Sequence, residues 1–114
     1  MPVHYLEIVT DDVAAVCSAY AAATGLEFGA PVVSLGNART AESSQGGLVG
    51  VRTPLHETEK PTVRPYWLVD NIEAALAAAV ETGAEVAHPP LEIPGHGKFA
   101  IYIQGGVHHG LWQL

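Results

Sequence analysis

The second half of this 114-residue chain repeats the pattern of the first half. In each half an apolar run with the alternation of a strand reaches an acidic residue, and an alanine-rich segment then ends at a Thr-Gly pair. Asp11 and Asp70 mark the acidic position and lie 59 residues apart, and Gly25 and Gly83 lie 58 residues apart. Because a unit that recurs once per half-chain implies two equivalent modules that bury a face against each other, this repeat constrains the fold more than any local motif does.

Both alanine-rich segments have the spacing of amphipathic helices. Their apolar sides are Val13, Val16, Cys17, Tyr20 and Thr24 in the first half and Ile72, Ala75, Leu76, Ala79 and Val80 in the second half. Asp11 or Asp12 can cap the first helix, and Asp70 or Asn71 can cap the second. Each module is therefore predicted to begin with a strand and a helix.

Short extended segments follow each predicted helix. They are 26–28, 32–35, 39–42 and 48–52 in the first half, and 85–87, 99–103 and 109–114 in the second half. Residues 53–61 are polar and rich in proline, which is typical of a linker, and three prolines and two glycines at 88–97 predict an irregular loop. We therefore predict a single domain (1–114) with module one at 1–54, a linker at 55–62 and module two at 63–114.

Composition narrows the choice of partners. Five Lys and Arg residues against twelve Asp and Glu residues give a net charge of −7, which repels a phosphate backbone and argues against nucleic acid. The most apolar segment, residues 74–80, is too short to span a bilayer, so we expect no membrane partner. The single cysteine, Cys17, excludes an intrachain disulfide and fits a reducing compartment, and the N-terminus lacks the pattern of a secretion signal. We therefore expect a cytoplasmic location.

A family resemblance is carried by residues 64–103, RPYWLVDNIEAALAAAVETGAEVAHPPLEIPGHGKFAIYI, and by the closing GLWQL. With its doubled β-α-β-β-β unit, the chain resembles the vicinal oxygen chelate superfamily of glyoxalases, extradiol dioxygenases and bleomycin-binding proteins, and within it a glyoxalase-like branch. The run PPLEIPGHGKFA is the most specific part. The resemblance implies an α+β fold in which two βαβββ modules form a curved eight-stranded mixed sheet. Its concave face would form a cleft, its helices would cover the outer face, and the protein would be a homodimer.

Alternation along the strands predicts which side chains face this cleft. In the first strand the phase of Leu6 and Ile8 suits burial under the helix, which turns the other phase towards the cleft. The 59-residue offset transfers that phase to the first strand of module two, and on the last strand the phase of Trp112 faces the same way. The predicted cleft residues are Tyr5, Glu7, Arg64, Tyr66, His108 and Trp112.

The resemblance also implies four metal-ligand positions, which this chain does not fill. Three of them fall on Tyr5, Arg64 and Gly110. A guanidinium has no lone pair to donate to a metal, and glycine has no side chain. Residues 48–52 offer no convincing fourth ligand. We therefore predict no metal and no cofactor.

Glu7 is the strongest candidate for a catalytic residue, because an acid on an otherwise apolar strand is partly desolvated and suited to proton transfer. The alternative is a structural ion pair with Arg64 or Arg52. Six histidines are present, and His96 and His108 are the two that could approach the mouth of the cleft as ligand-binding residues. The alternative for both is a solvated surface histidine.

Three functions fit this sequence. The first is a metal-independent, glyoxalase-like lyase or isomerase in which Glu7 transfers a proton while Tyr5, Arg64 or His108 orients an oxygen. The second is a metal-free protein that binds or sequesters a small aromatic or cationic molecule in a cleft lined by aromatic side chains, as drug-resistance proteins do. The third is a dimeric scaffold with a vestigial cleft.

Overall fold

The computed structural model describes residues 2–44 and 46–114. It contains two compact units, one formed by Tyr5–Val63 and the other by Arg64–Leu114 together with residues 2–4. The elements in chain order are β1 (Val3–Val9), α1 (Val13–Thr24), β2 (Pro31–Val32), a 3-10 turn (Val33–Leu35), β3 (Ala38–Glu42), β4 (Leu48–Arg52), β5 (Thr62–Leu68), α2 (Ile72–Glu81), β6 (Glu85–Ile93), β7 (Gly97–Gln104) and β8 (Val107–Gln113). The order β-α-β-β-β thus occurs twice, as the duplication predicts.

The two units have the same strand arrangement. The order is β2-β3-β4-β1 in the first unit and β6-β7-β8-β5 in the second, so each unit pairs its first strand with its last. That pairing is parallel in both units, and the remaining neighbours are antiparallel. Each unit contributes four strands with one parallel and two antiparallel pairings, which confirms the predicted α+β class with two βαβββ modules.

Both helices begin at a side-chain cap. The Asp12 carboxylate accepts the Ala15 N–H at 3.1 Å, and the Asn71 side-chain oxygen accepts the Ala74 N–H at 3.0 Å, which decides between the two candidates at each helix start. Gly25 ends α1 in the left-handed conformation with φ 79°. Within the described residues, no helix is long and apolar enough to cross a membrane.

Each helix packs against strands of its own unit. Cys17 of α1 lies against Ile8 of β1 and Val51 of β4. The second cluster contains the buried residues Ile72, Leu76, Ala100 and Leu111. Burial of one large aliphatic side chain stabilises a fold by about 1.5–3 kcal/mol, so these clusters fix which face of each strand lies under a helix.

Three segments differ from the sequence-based expectation. Residues 33–35, predicted to be extended, form a 3-10 turn. Residues 26–28 form no strand, and residues 88–93, predicted to be an irregular loop, continue β6. The prolines at 89 and 90 are tolerated because β6 is the edge strand of its unit and both prolines fall in an interruption of the β6–β7 pairing, between His88 and Leu91. The β6–β7 register shifts between Val86 and His88 and again between His88 and Leu91, which absorbs the irregular backbone.

Candidate functional site

Tyr5 and Glu7 lie on the face of β1 that turns away from α1. Ile8 packs against Cys17 of the helix, and alternation along the strand places its neighbour Glu7 on the opposite face. Both side chains are nevertheless buried, since Tyr5 is 2% exposed and Glu7 is 7% exposed. The face is as predicted, but these two residues are interior groups.

Arg52 binds Glu7 within the first unit. Its Nε donates to Glu7 Oε2 at 2.8 Å, and its two terminal nitrogens donate to the two carboxylate oxygens of Glu59 at 2.7 and 2.8 Å. Nη1 also donates to the carbonyl oxygen of Thr53 at 3.2 Å. The guanidinium therefore joins β1, β4 and the predicted linker in one buried charge cluster, which we define as Glu7, Arg52 and Glu59.

Charge and burial shift the pKa values within this cluster. The hydrogen bond from Arg52 lowers the pKa of Glu59 to about 2, against the opposing effect of burial, and the Leu55 N–H reinforces the shift. Burial tends to lower the pKa of Arg52, but its bonds to Glu59 and Glu7 outweigh burial and raise that pKa. Arg52 and Glu59 are therefore both ionised at neutral pH, and Glu7 is bonded to a guanidinium that Glu59 holds in place.

Tyr5 lies over Gly50 of the neighbouring strand β4. A methyl group on Gly50 would lie 2.5 Å from Tyr5 Cζ and closer still to its hydroxyl, so the ring occupies the space that a side chain would fill. Burial, followed by the nearby Glu7 carboxylate, raises the pKa of the Tyr5 hydroxyl, and Arg52 opposes the shift. Tyr5 is therefore a protonated phenol at neutral pH.

The second unit carries aromatic rings on the face that turns away from α2. Leu111 belongs to the core under α2, so its neighbour Trp112 faces the other way. The ring centroids of Tyr66 and Trp112 are 5.7 Å apart at an interplanar angle of 89°, and Phe99 lies 6.2 Å from Tyr66. Tyr66 and Trp112 are 4% and 2% exposed, whereas Phe99 is partly exposed. Tyr66 and Trp112, which are both predicted cleft residues, therefore form a buried aromatic layer beneath Phe99.

Two histidines extend this aromatic cluster. The His88 ring lies 4.7 Å from Phe99 at an interplanar angle of 30°, and the His4 ring lies 5.5 Å from Trp112. Burial lowers the pKa of His4, which favours the neutral ring. Phe99 and His88 were not among the predicted site residues. The phase of β7 could have indicated Phe99, but the bulges of β6 hide the orientation of His88 from any sequence pattern.

Arg64 and His108 are brought together at the other end of this face. Arg64 Nη2 lies 3.5 Å from His108 Nδ1. Because a guanidinium only donates, Nδ1 accepts and the proton of the neutral imidazole is placed on Nε2. Arg64 is 7% exposed, and His108 is exposed.

His96 is not near His108. The His96 backbone oxygen accepts the Trp112 indole N–H at 2.8 Å, beside the start of β7, whereas His108 is paired with Ile103 near the end of that strand. Ile103 is six positions after Gly97 along the strand, which corresponds to roughly 20 Å. His96 instead lines a shallow groove at the β6–β7 turn. The two histidines therefore cannot act on one small ligand.

Across residues 2–44 and 46–114, no three His, Cys, Asp or Glu side chains converge in a way that could hold a metal ion. Metal independence stays a prediction. The charge cluster of the first unit and the aromatic cluster of the second unit are the groups from which a function can be argued.

No protein-family model and no curated protein matches this sequence. Solved structures match it along nearly its whole length. A hypothetical protein from Bacillus halodurans C-125 has a TM-score of 0.72 at 14% identity, covering 99% of this chain and 94% of its own. A variant of the Streptomyces coelicolor methylmalonyl-CoA epimerase, in complex with 2-nitronate-propionyl-CoA, has a TM-score of 0.70 at 18% identity, with coverages of 99% and 94%. The Mycobacterium tuberculosis methylmalonyl-CoA epimerase has a TM-score of 0.71 at 13% identity, with coverages of 96% and 85%.

These neighbours are members of the vicinal oxygen chelate fold superfamily. At such low identity the likeness concerns the fold alone. The chain therefore has the fold that its sequence resemblance implies.

Proposed function

We propose that this protein binds a small planar organic molecule, without a bound metal, on the face of the Arg64–Leu114 unit that turns away from α2. The observation that carries the proposal is the aromatic cluster on that face. Phe99 and His88 are partly exposed, with ring centroids 4.7 Å apart and planes tilted by 30°, above the buried rings of Tyr66 and Trp112. Partly exposed rings that pack on a buried aromatic layer are suited to stacking against a planar ligand.

The fold supports the same proposal. Structures of methylmalonyl-CoA epimerase with this fold contain 2-nitronate-propionyl-CoA in one case, and methylmalonyl-CoA and NH4+ in another. Proteins with this fold therefore accommodate small organic molecules. The buried charge cluster of the first unit contributes rigidity to this chain, because Glu7 is held by Arg52.

Tryptophan fluorescence offers a direct test, because the two tryptophans lie on opposite faces. Trp112 lies in the aromatic cluster, whereas Trp67 pairs with Leu111 of the core under α2. A Trp67→Phe variant leaves Trp112 as the reporter, and a Trp112→Phe variant leaves Trp67. We expect planar compounds to change the emission of the first variant in a saturable way and to leave the emission of the second unchanged.

A matched pair of substitutions on β7 tests the location of binding. Phe99 lies on the proposed face, and Tyr102 packs on the α2 side of the same strand. We expect Phe99→Ala to weaken binding about tenfold or more, which corresponds to the loss of about 1.4 kcal/mol of ring contact, and Tyr102→Ala to leave affinity unchanged. Equal losses in the two variants, or no saturable binding across a library of planar compounds, would contradict the proposal.

The second candidate is an isomerase-type enzyme in which Glu7 transfers a proton, and it is favoured by the epimerases among the structural neighbours. Its test is the exchange of an acidic C–H of a bound ligand with deuterium from solvent, followed by NMR. We expect Glu7→Gln to abolish exchange and to preserve binding if Glu7 is the base. Exchange that persists in Glu7→Gln would sink this candidate.

Membership of the glyoxalase-like branch, the homodimer and the cytoplasmic location stay predictions from sequence. Sedimentation of the purified protein at several concentrations measures the second of these.

A further inference from the structure

We infer that His88 accepts a hydrogen bond from the bound molecule through Nε2, so that the ligand is a planar compound with a hydrogen-bond donor on its ring, such as a phenol O–H. This inference rests on the proposed binding function and specifies the class of ligand.

His88 lies beside the exposed part of the aromatic cluster. It is paired with Ile101 of β7, and Leu91, the next paired residue of β6, is opposite Phe99. Ala100, between Phe99 and Ile101, belongs to the core under α2, so those two residues and their partners on β6 are on the other face. The distance of 4.7 Å between the ring centroids of His88 and Phe99 agrees with this placement.

The backbone determines which nitrogen of His88 carries the proton. Nδ1 lies 2.6 Å from the carbonyl oxygen of Pro89. Because a carbonyl oxygen only accepts, Nδ1 donates, and in the neutral imidazole Nε2 then has the free lone pair. Within residues 2–44 and 46–114, Nε2 has no hydrogen-bond partner. It is on the side of the ring away from the backbone, and the residue is only partly buried.

The surroundings of this nitrogen favour a ligand that donates. The neighbouring side chains on the same face are Leu91, Phe99 and Ile101, which are apolar and at least partly exposed. A planar molecule that covers them also removes water from Nε2, and an acceptor left without a hydrogen bond then costs free energy. A ligand with a donor satisfies this acceptor, whereas a ligand with only an acceptor at that point leaves both groups unpaired.

The charged groups of this face agree with a donor. Glu85 of β6 is exposed and is paired with Ile103, two residues along β7 from the partner of His88. Its carboxylate also accepts hydrogen bonds and repels an anionic ligand. Arg64 is on the same face, but it is buried and three strands from His88, or roughly 14 Å away. The accessible polar atoms near the stacked rings are therefore acceptors.

The experiment compares bicyclic phenols with their own methyl ethers by isothermal titration calorimetry near neutral pH. The first pair is 6-hydroxyquinoline and 6-methoxyquinoline, which have similar shapes and of which only the phenol donates. We expect the wild-type protein to bind the phenol about fivefold more tightly, which is the effect of one neutral hydrogen bond. We expect His88→Phe, which keeps a ring against Phe99, to bind the ether as wild type does and to lose the preference for the phenol.

A second variant, His88→Asn, separates the contact with the ligand from the bond to Pro89. The asparagine amide can donate to the Pro89 carbonyl oxygen in place of Nδ1, but it has no acceptor at the position of Nε2. We expect this variant to lose the preference as well. A preference for the phenol that persists in both variants would overturn the assignment of His88.

His109→Phe is the matched control on the other face of the same unit. The His109 ring is stacked on Tyr102 with centroids 5.0 Å apart, and its Nε2 lies 3.1 Å from the carbonyl oxygen of Gln104. Tyr102 packs against the core under α2, so this substitution removes an imidazole and a backbone hydrogen bond away from the proposed site. It should retain the full preference for the phenol, and an equal loss in this variant would overturn the assignment.

The outcomes separate the class of ligand from the binding function. Methyl ethers that bind wild type as tightly as the phenols would overturn the donor assignment and leave the binding of planar molecules intact. Absence of binding by both series, together with no fluorescence response to the wider library, would overturn the binding function as well.

Discussion

Equivalent positions in the two units carry opposite chemistry. Glu7 of β1 is opposite Gly50 of the parallel strand β4, and Tyr66 of β5 is opposite Gly110 of the parallel strand β8. In the first unit this position belongs to a buried charge cluster, and in the second it belongs to an aromatic cluster. The duplicated backbone therefore preserves the position of a side chain and leaves its chemistry free to diverge.

The glycines opposite these positions show which constraint both units share. Tyr5 lies over Gly50, and Tyr66 lies over Gly110, although the two tyrosines occupy positions that are not equivalent in the repeat. In each unit a ring fills the space of the missing side chain. In both units, packing therefore requires a glycine on the last strand. The tyrosine ring that fills the space comes from a different position of the repeat in each unit.

Among these substitutions, Arg52→Met should reduce the free energy of unfolding most, because it disrupts the charge cluster that distinguishes the first unit from the second. It would leave the buried Glu7 and the partly buried Glu59 without the Arg52 guanidinium, and loss of one partner of a buried ion pair destabilises a protein by about 3–5 kcal/mol. Urea unfolding measures the free energy, with the exposed Lys60→Met as the control for lost charge. A loss of less than about 1 kcal/mol would mean that the cluster does not stabilise the first unit.

The two glycines should respond unequally to alanine. A methyl group on Gly110 would lie 2.6 Å from Tyr66 Cγ and 2.8 Å from the backbone oxygen of Pro65, which cannot move alone. At Gly50 the crowding atoms are the far end of the Tyr5 ring. We expect thermal unfolding to show a loss of about 3 kcal/mol for Gly110→Ala and about 2 kcal/mol for Gly50→Ala. The reverse order would contradict this account of the packing.

Acid should weaken the charge cluster selectively. Because the folded-state pKa of Glu59 is about 2, below the ordinary value of 4.5, its ionised form stabilises the fold fully above pH 4.5 and loses that contribution as pH falls towards 2. We expect this contribution to be about 2 kcal/mol, since Glu59 is only partly buried. Unfolding free energies of wild type and Glu59→Gln should converge as pH falls from 5 to 2. Parallel curves would show that Glu59 does not titrate as described.

Lys98→Met should have the smallest effect. Its ion pair with Glu73 is largely exposed to solvent, and exposed pairs add little to stability. We expect the unfolding midpoint to stay the same within error at low and high salt. A clear loss at low salt would narrow the contrast between this pair and the buried cluster of the first unit.

The repeat in the sequence predicts the fold because it is a pattern of elements, and a pattern survives the divergence of individual residues. The two helix starts and the face of β1 follow from local rules of capping and strand alternation. The sequence offers two candidate caps at each start, and the structure selects Asp12 and Asn71. The strand at 88–93 does not follow from local rules, because the prolines there are compatible with an edge strand only once the sheet order is known.

The candidate site is less predictable for a similar reason. Arg52 could be named as a partner for Glu7, but Glu59 lies in a segment without periodicity, and its bond to Arg52 depends on how that segment folds back. The separation of His96 from His108 depends on the β7–β8 register, which local sequence does not encode. Alternation predicts the face of a residue, and pairing decides its neighbours.

The parallel pairing of first and last strands has a consequence for synthesis of the chain. The Glu7–Arg52 contact joins residues 45 positions apart, and the Arg64–His108 contact joins residues 44 positions apart. As the polypeptide leaves the ribosome, β1 has no permanent neighbour in its own unit until β4 has been made. Such late closure slows folding and prolongs the exposure of an unpaired edge.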